Sequence, residues 1–282
     1  MEWTKLSDQY LLIIMVPLVL VILLICQRYW ANKFAAGSTL DIAEECAMGN
    51  KETQEDAAGV AETQWGTLAV LADGMGKGRA GKMAAQVTVE TCIELFTSYD
   101  VMSNVQYFFT QALNLSNKKI LEYLQGNKGG AVAAAVLVSK GILYYAAVGD
   151  IKIAVFRRSE LIAINDGHTM QTAAAKGFAQ GRLDIEQALA ISRKKKRSNY
   201  IGRDGFKNVE MGTDGIKLVH GDIIVVMNQG LYNCLSWVEL EDQLASSSPS
   251  KKIAERIIEK FNKKTVQSKE NASLFVLKYA RR

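Results

Sequence analysis

The chain has 282 residues, a net charge of +5 and 49% hydrophobic residues, which is enough apolar material for one large domain. Its four cysteines (Cys26, Cys46, Cys92 and Cys234) lack C-x-x-C spacing, which excludes a typical zinc ribbon and indicates no disulfide framework. The positive charge is too small to require nucleic acid, and no nucleic-acid partner is expected.

The amino-terminal segment predicts a membrane anchor. The run from Leu11 to Cys26 contains no charged or strongly polar side chain, and Tyr10 extends it by one residue. This length is near the lower limit for a spanning helix, since about 17–25 residues are typical. Tyr10 on one side and Tyr29-Trp30 on the other suit the two membrane–water interfaces.

Flanking charges predict the orientation of this anchor. Arg28 and Lys33 follow the apolar run, whereas only Lys5 precedes it, so the positive-inside rule puts the carboxyl-terminal part in the cytoplasm. A cleavable signal peptide is the alternative, but Glu2 and Asp8 in the leading segment argue against it. We therefore expect a single-pass protein of the cell membrane.

The segment around Asp73 is the richest in candidate chemistry. An apolar run from Leu68 to Ala72 predicts a buried strand, and a glycine-rich loop follows Asp73-Gly74. Three interpretations fit the loop: a dinucleotide motif through Gly76, Gly78 and Gly81, a phosphate loop ending in Gly81-Lys82, or a metal-binding carboxylate at Asp73. The phosphate loop lacks its Ser or Thr, because Met83 follows Lys82.

The strands downstream argue against both nucleotide interpretations. Four apolar runs are separated by short turns, namely Ala131–Val138, Ile142–Val148, Ile151–Phe156 and Leu161–Ile164. Parallel strands need crossovers of about a dozen residues or more, so these runs must pair antiparallel. Nucleotide motifs of both kinds need a parallel βαβ context. Helices are predicted over 80–97, 104–124 and around Ile253–Phe261, and a last strand over 274–279.

Several short segments occur in an order that resembles one enzyme family. They are Lys51–Asp56, Ala72–Gly76, Gly129–Leu137, Ala147–Asp150, Asp166–Thr169, Gly181–Ala188, Asn228–Leu231 and Glu270–Ser273. Together they resemble the motifs of bacterial PPM-type (protein phosphatase type 2C) metal-dependent serine/threonine phosphatases, over roughly residues 40–279. The resemblance implies an α+β fold, an αββα sandwich of two antiparallel sheets flanked by helices. We expect this domain over 37–282, after an anchor (helix about 10–27) and linker in 1–36.

The resemblance also implies a metal centre. Enzymes of the family hold two Mn²⁺ or Mg²⁺ ions that activate a water for attack on phosphate. By position, Asp73 would bridge the ions and the Gly74 carbonyl would help hold the second. Glu55 and Asp56 would lie around that second ion and its waters, and Lys51 would contact phosphate.

Three positions depart from the family pattern. Gln229 and Glu270 stand where the family has aspartates; the first removes a negative charge and the second adds a methylene. Lys51 replaces an arginine and loses its two-pronged hydrogen bonding. Asp150 is a further candidate ligand, although Gly149-Asp150 is equally a hairpin turn.

From these departures we expect weak metal binding, at one site only or none. The main expectation is a membrane-anchored pseudophosphatase that binds a phosphoprotein or a membrane-associated partner; the alternative is an active Mn²⁺- or Mg²⁺-dependent protein serine/threonine phosphatase. The basic run Arg193–Arg197 is expected to be a solvated loop, with contact to anionic lipid as the alternative. His168 and His220 are expected to be structural.

Overall fold

The computed structural model describes Met15 and residues 17–27, 40–193 and 199–280, in two units, Met1–Thr39 and Leu40–Arg282. In the first unit, residues 17–27 form helix α1, whose apolar side chains are exposed. A search of the described helices finds none both long and apolar enough to cross a membrane. Because residues 10–14 and 16 of the predicted span lie outside the described residues, the anchor stays a prediction.

The second unit contains two five-stranded sheets in which every pairing is antiparallel. One sheet has the order β1-β10-β9-β6-β7, formed by Leu40–Ala47, Ala272–Tyr279, Ile223–Met227, Lys152–Arg157 and Glu160–Ala163. The other has the order β2-β3-β4-β5-β8, formed by Ala57–Thr63, Gly66–Gly76, Gly129–Ser139, Ile142–Val148 and Glu210–Lys217. The antiparallel pairing confirms the argument against a nucleotide-binding βαβ unit.

Helices connect and cover these sheets. Helix α2 (Ala80–Ser98) and helix α3 (Val105–Leu124) agree closely with the predicted helices. The remaining helices are α4 (Met170–Ala179), α5 (Ile185–Ser192), α6 (Gln229–Cys234), α7 (Trp237–Leu244) and α8 (Ser250–Lys263). Helix α8 buries Ile253, Ile257, Ile258 and Phe261, the stripe that the sequence predicts.

Strands β3 and β9 explain why four layers form. Side chains of a strand alternate between its faces, so a run that is apolar throughout needs cover on both sides. In β3, Leu68 and Val70 pack in the cluster that includes α2 and α3, whereas Leu71 packs in the cluster between the sheets. In β9, Val225 packs with α7 and α8, and Val226 packs between the sheets. The result is the αββα sandwich that was expected.

The sequence analysis missed the outer strands β1, β2 and β8. Glycines interrupt the alternation in two of them: Gly59 lies in β2, and Gly212 lies in β8. A Cβ on Gly59 would lie 2.7 Å from Val89 Cγ1 of α2, and one on Gly212 would lie 2.1 Å from the Tyr145 ring. These glycines admit close neighbours, and for that reason they weaken the strand pattern in the sequence.

Candidate active site

The two sheets meet at Asp56, the residue that precedes β2. Ala57 pairs with Ala72 in the β2–β3 register, so Asp56 lies next to Asp73, which continues β3. From the other sheet, Ser273 Oγ donates to Asp56 Oδ2 at 2.5 Å and Asn228 Nδ2 donates to the same oxygen at 3.0 Å. Strand ends that are remote in the sequence therefore converge on one carboxylate.

Asp56 and Asp73 form a hydrogen-bonded pair of acids. Only 5% of Asp73 is exposed. The pKa of Asp56 is raised to about 7, first because burial disfavours its charged form and second because Asp73 is negative. The Ser273 hydroxyl and the Lys51 ammonium act in the opposite direction and lower this pKa. Two carboxylates this close retain a proton unless another positive charge replaces it.

Two glycines allow the end of β3 and the start of α2 to lie close to Glu55. A Cβ on Gly74 would lie 2.2 Å from the Gly81 carbonyl oxygen and 2.6 Å from that of Glu55. A Cβ on Gly81 would lie 2.8 Å from Glu55 Oε1. Glu55 is also 3.7 Å from Lys51 Nζ, and the Lys51 side chain remains 41% exposed. The end of β3 and the start of α2 are thereby packed against Glu55, the residue before Asp56.

Two asparagines that the sequence analysis quoted without assigning a role organise the site. Asn228 accepts from Ser273 N and caps helix α6 through Leu231 N. Asn271 donates to Thr53 O and Gln54 Oε1 and accepts from Gly49 N, so it ties the loop before β2 to the start of β10. The sequence shows a short polar side chain next to the end of a strand at each of these two positions. The hydrogen-bond partners of these asparagines lie too far away in the sequence to be inferred from it.

Gln229 and Glu270 border the site from the sheet that contains β9 and β10. Gln229 is the first residue of α6, and Glu270 is exposed just before β10. A Cβ on Gly230 would lie 2.0 Å from Asn271 O, so the two segments touch through their backbones. In the part of the chain that is described, no three His, Cys, Asp or Glu side chains are grouped closely enough to hold a metal ion together.

Asp150 lies in a tight turn outside the acidic pair. Its backbone oxygen accepts from Tyr232 Oη at 2.6 Å, and only 3% of the residue is exposed. The neighbouring Gly149 donates to His168 Nδ1 at 3.0 Å and accepts from His168 N at 2.6 Å. Burial is the main cause that lowers the pKa of His168. These contacts agree with the structural role expected of His168.

The loop beyond His168 leads into helices α4 and α5. The α5 amino terminus is closed by a capping box between Asp184 and Gln187. Ile185 and Leu189 of this helix are 62% and 52% exposed. Of the basic run that follows, Arg193 is described, and residues 194–198 lie outside the described residues.

Comparison with known proteins shows the family. Residues 47–269 match Protein phosphatase 2C, and the chain belongs to this family. It is 28% identical over 188 residues to protein phosphatase PhpP of Streptococcus pneumoniae, covering 65% of this chain and 74% of PhpP. It is 24% identical over 216 residues to the serine/threonine phosphatase stp of Listeria welshimeri, covering 74% of this chain and 84% of stp.

Solved structures agree on the fold. The serine/threonine phosphatase of S. agalactiae superimposes with a TM-score of 0.75 at 24% identity, covering 86% of this chain and all of that one. The catalytic domain of the phosphatase PstP, solved with two manganese ions, superimposes with a TM-score of 0.67 at 21% identity, covering 86% of this chain and 99% of that one. The predicted family and the two-sheet fold are confirmed.

Proposed function

We propose that this chain is an active protein serine/threonine phosphatase that depends on Mn²⁺ or Mg²⁺. The observation that carries the proposal is the buried pair Asp56–Asp73 at the junction of the two sheets. Burying two acids side by side costs stability. Ser273 and Asn228 nevertheless hold Asp56 in this position. Membership of the family and the likeness to PhpP and stp support the same function.

The donor atoms fit a hard divalent cation. Carboxylate and carbonyl oxygens are its preferred ligands. Asp73, Asp56 and the Gly74 carbonyl would hold the cation, and the charge of the ion would take the place of the proton that the raised pKa of Asp56 favours. Gly74 suits this role because the backbone around it is packed too closely for a Cβ.

The remaining roles fall to side chains around this pair. When bound, the cation supplies Lewis acidity and makes a coordinated water more acidic. Lys51 is exposed and positive at the edge of the site and would attract the substrate phosphate. Glu55, whose Oε2 is 3.7 Å from Lys51 Nζ, would orient the Lys51 side chain. Ser273 and Asn228 keep Asp56 directed at Asp73. The expected substrates are phosphoserine or phosphothreonine in a protein partner.

Metal-dependent release of phosphate from phosphoserine and phosphothreonine peptides tests the proposal. Wild type should turn over with Mn²⁺ and lose activity in EDTA, and Asp73→Asn should reduce kcat/KM at least a hundredfold. Asp214→Asn, on the exposed part of β8, is the matched control and should leave activity unchanged. A folded wild type that releases no phosphate with any divalent cation would overturn the proposal.

A second function, binding of a phosphoprotein without turnover, is favoured by one specific observation. Gln229 and Glu270 stand at two positions where the family pattern has aspartates. Such a protein would bind phosphopeptides equally well with Mn²⁺ and with EDTA, and Asp73→Asn would not weaken that binding.

Attachment to a membrane is a separate proposal, motivated by the apolar helix α1. Full-length chain should then remain in the membrane fraction after carbonate extraction, with its phosphatase domain accessible from the cytoplasmic side. Recovery of the full-length chain in the soluble fraction would contradict this proposal.

A further inference from the structure

A cleft of about 970 Å³ opens at the carboxyl end of β3. We call it the basic cleft and define it by five lining side chains: Lys77, Arg79, Tyr123, Lys128 and Tyr200. Its walls are formed by the glycine-rich loop, the start of α2, the end of α3 and the turn before β4.

Within the part of the chain that the structure describes, no acidic side chain neutralises the charge of the basic cleft. No Asp or Glu lines it, and none of Lys77, Arg79 and Lys128 forms an ion pair with another described residue. The adjacent lysines of α3 differ: Lys118 is paired with Glu122 and Lys119 with Glu94. Three like charges around a concavity raise the local concentration of anions.

The two tyrosines give the cleft an aromatic surface as well. Tyr123 is 61% exposed near the end of α3. Tyr200 is held against the start of β4, since a Cβ on Gly130 would lie 2.7 Å from its ring. Tyr200 is partly exposed. Tyrosine side chains that remain accessible offer large contact areas at a low cost in conformational entropy. Together with the cations they suit a ligand that has both negative groups and packing surface.

The position of the cleft connects it to catalysis. Its lining includes Met75 and Gly76, which follow Asp73 along β3 by two and three residues. At about 3.3 Å per residue, this is a distance of roughly 7–10 Å. An extended peptide whose phosphorylated residue lies at Asp56–Asp73 would reach the cleft with side chains two to four positions away.

We propose that the basic cleft binds an acidic segment, rich in Asp or Glu, next to the phosphorylated residue of a protein substrate. This deepens the proposed phosphatase function and rests on it. Lys77, Arg79 and Lys128 attract the carboxylates, and Tyr123 and Tyr200 pack against the peptide. A free nucleotide fits less well, because Asn127 is the one amide side chain among the described lining residues that could hydrogen-bond a base, and it is exposed. Specific small-molecule sites use several placed polar groups.

The first test compares substrates. Phosphopeptides with Glu two to four positions before or after the phosphoserine should have kcat/KM about tenfold higher than matched peptides with Ala, since several exposed charge pairs act together. This preference should shrink at high salt. The double variant Lys77→Ala/Lys128→Ala should lose it and leave hydrolysis of p-nitrophenyl phosphate unchanged. The control Lys118→Ala/Lys119→Ala lies on α3 outside the lining and should keep the preference.

The second test separates the cleft from turnover. Fluorescence anisotropy of a labelled acidic phosphopeptide, in EDTA, should show binding that Lys77→Ala/Lys128→Ala weakens about tenfold. If binding behaves this way but no peptide is hydrolysed, the cleft proposal stands and the phosphatase proposal fails. If peptides are hydrolysed with no preference for acidic ones, the phosphatase proposal stands and the cleft proposal fails.

Two further results decide against the cleft proposal. A single-stranded oligonucleotide that binds more tightly than the acidic peptide, with the same loss in the double variant, would assign the cleft to nucleic acid. Equal losses in the double variant and in the α3 control would reveal a general charge effect. Circular dichroism and thermal midpoints of the variants should match wild type, since both mutated lysines are exposed.

Discussion

Ser273 Oγ donates a 2.5 Å hydrogen bond to Asp56 Oδ2 and so joins β10 of one sheet to the start of β2 in the other. The bond is buried on the Ser273 side, where 2% of the residue is exposed. It lowers the pKa of a carboxyl that burial and Asp73 raise. Ser273 therefore favours the loss of the Asp56 proton to solvent that must accompany binding of a cation.

The variant Ser273→Ala should bind Mn²⁺ more weakly than wild type, and the loss of affinity should be larger at pH 6.5 than at pH 8.5. Losing a hydrogen bond to a charged group costs about 1.5–3 kcal/mol, so the affinity at pH 6.5 should fall about tenfold or more. At pH 8.5 the difference should narrow, because proton competition is smaller. Isothermal titration calorimetry at both pH values measures this, with the exposed Ser103→Ala as control. An equal loss at both pH values would contradict the prediction.

The metal-free protein should lose stability as pH rises. Because the pKa of Asp56 is raised from 3.8 to about 7 in the folded protein, folding favours its protonated form. That contribution is complete below pH 3.8 and is lost as pH rises through about 7. We expect a decrease on the order of 2 kcal/mol between pH 5 and pH 8 from this group.

Urea unfolding in EDTA at several pH values measures this decrease. Asp56→Asn should remove most of it, since the amide does not ionise. Saturating Mn²⁺ should stabilise the protein more at pH 8 than at pH 5, because the ion replaces the proton. The prediction would be refuted if the free energy of unfolding in EDTA changed between pH 5 and pH 8 by the same amount in wild type and in Asp56→Asn.

The sequence predicts the inner strands and long helices well because burial on both faces, or on one helical stripe, leaves a clear pattern. Leu68 to Ala72 and Ile253 to Phe261 are examples. The family motifs, recognised by their order along the chain, also predict that Asp56 and Asp73 lie in one site. The hydrogen bonds that hold Asp56 were not predictable, because they connect residues 172 and 217 positions apart. No local sequence pattern indicates such contacts. The outer strands β2 and β8 were missed for a different reason, because Gly59 and Gly212 interrupt their alternation of apolar and polar residues.

Arg157 and Asp222 form a stabilising ion pair in the first sheet, away from the acidic pair. Arg157 Nε and Nη2 donate to the two carboxylate oxygens at 2.9 and 2.6 Å, and the Asp222 side chain is 1% exposed. Arg157→Met should destabilise the protein by about 3 kcal/mol, because a buried charge is left with only the Val219 N–H. The double variant Arg157→Met/Asp222→Asn should recover part of this loss.

Urea unfolding of these variants checks the ion-pair prediction. The exposed pair Lys118–Glu122 is the control, and Lys118→Ala should cost less than about 0.5 kcal/mol. Finding Arg157→Met as stable as Lys118→Ala would show that the buried carboxylate is stabilised in another way.

Restoring two aspartates should strengthen the metal site. Gln229→Asp adds a negative charge, and Glu270→Asp shortens a charged side chain by one methylene at the border of Asp56 and Asp73. We expect the double variant to need about tenfold less Mn²⁺ for half-maximal activity, which corresponds to about 1.4 kcal/mol of added binding. The measurement is phosphate release from a phosphopeptide over a Mn²⁺ titration, with the exposed Gln106→Asp as control for a neutral-to-acid change.

The wild-type rate in the same experiment distinguishes the two proposed functions. Turnover on the order of 1–10³ s⁻¹, with no gain from the double variant, would mean that Gln229 serves an active enzyme as it stands. No wild-type turnover, together with activity in the double variant, would support a protein that binds phosphoproteins and has lost catalysis through these two positions. Because the proposed function is an active enzyme, we expect measurable wild-type turnover and a lower metal requirement in the double variant. If the double variant needs the same Mn²⁺ concentration for half-maximal activity, the charge at Gln229 and the side-chain length at Glu270 do not limit metal binding.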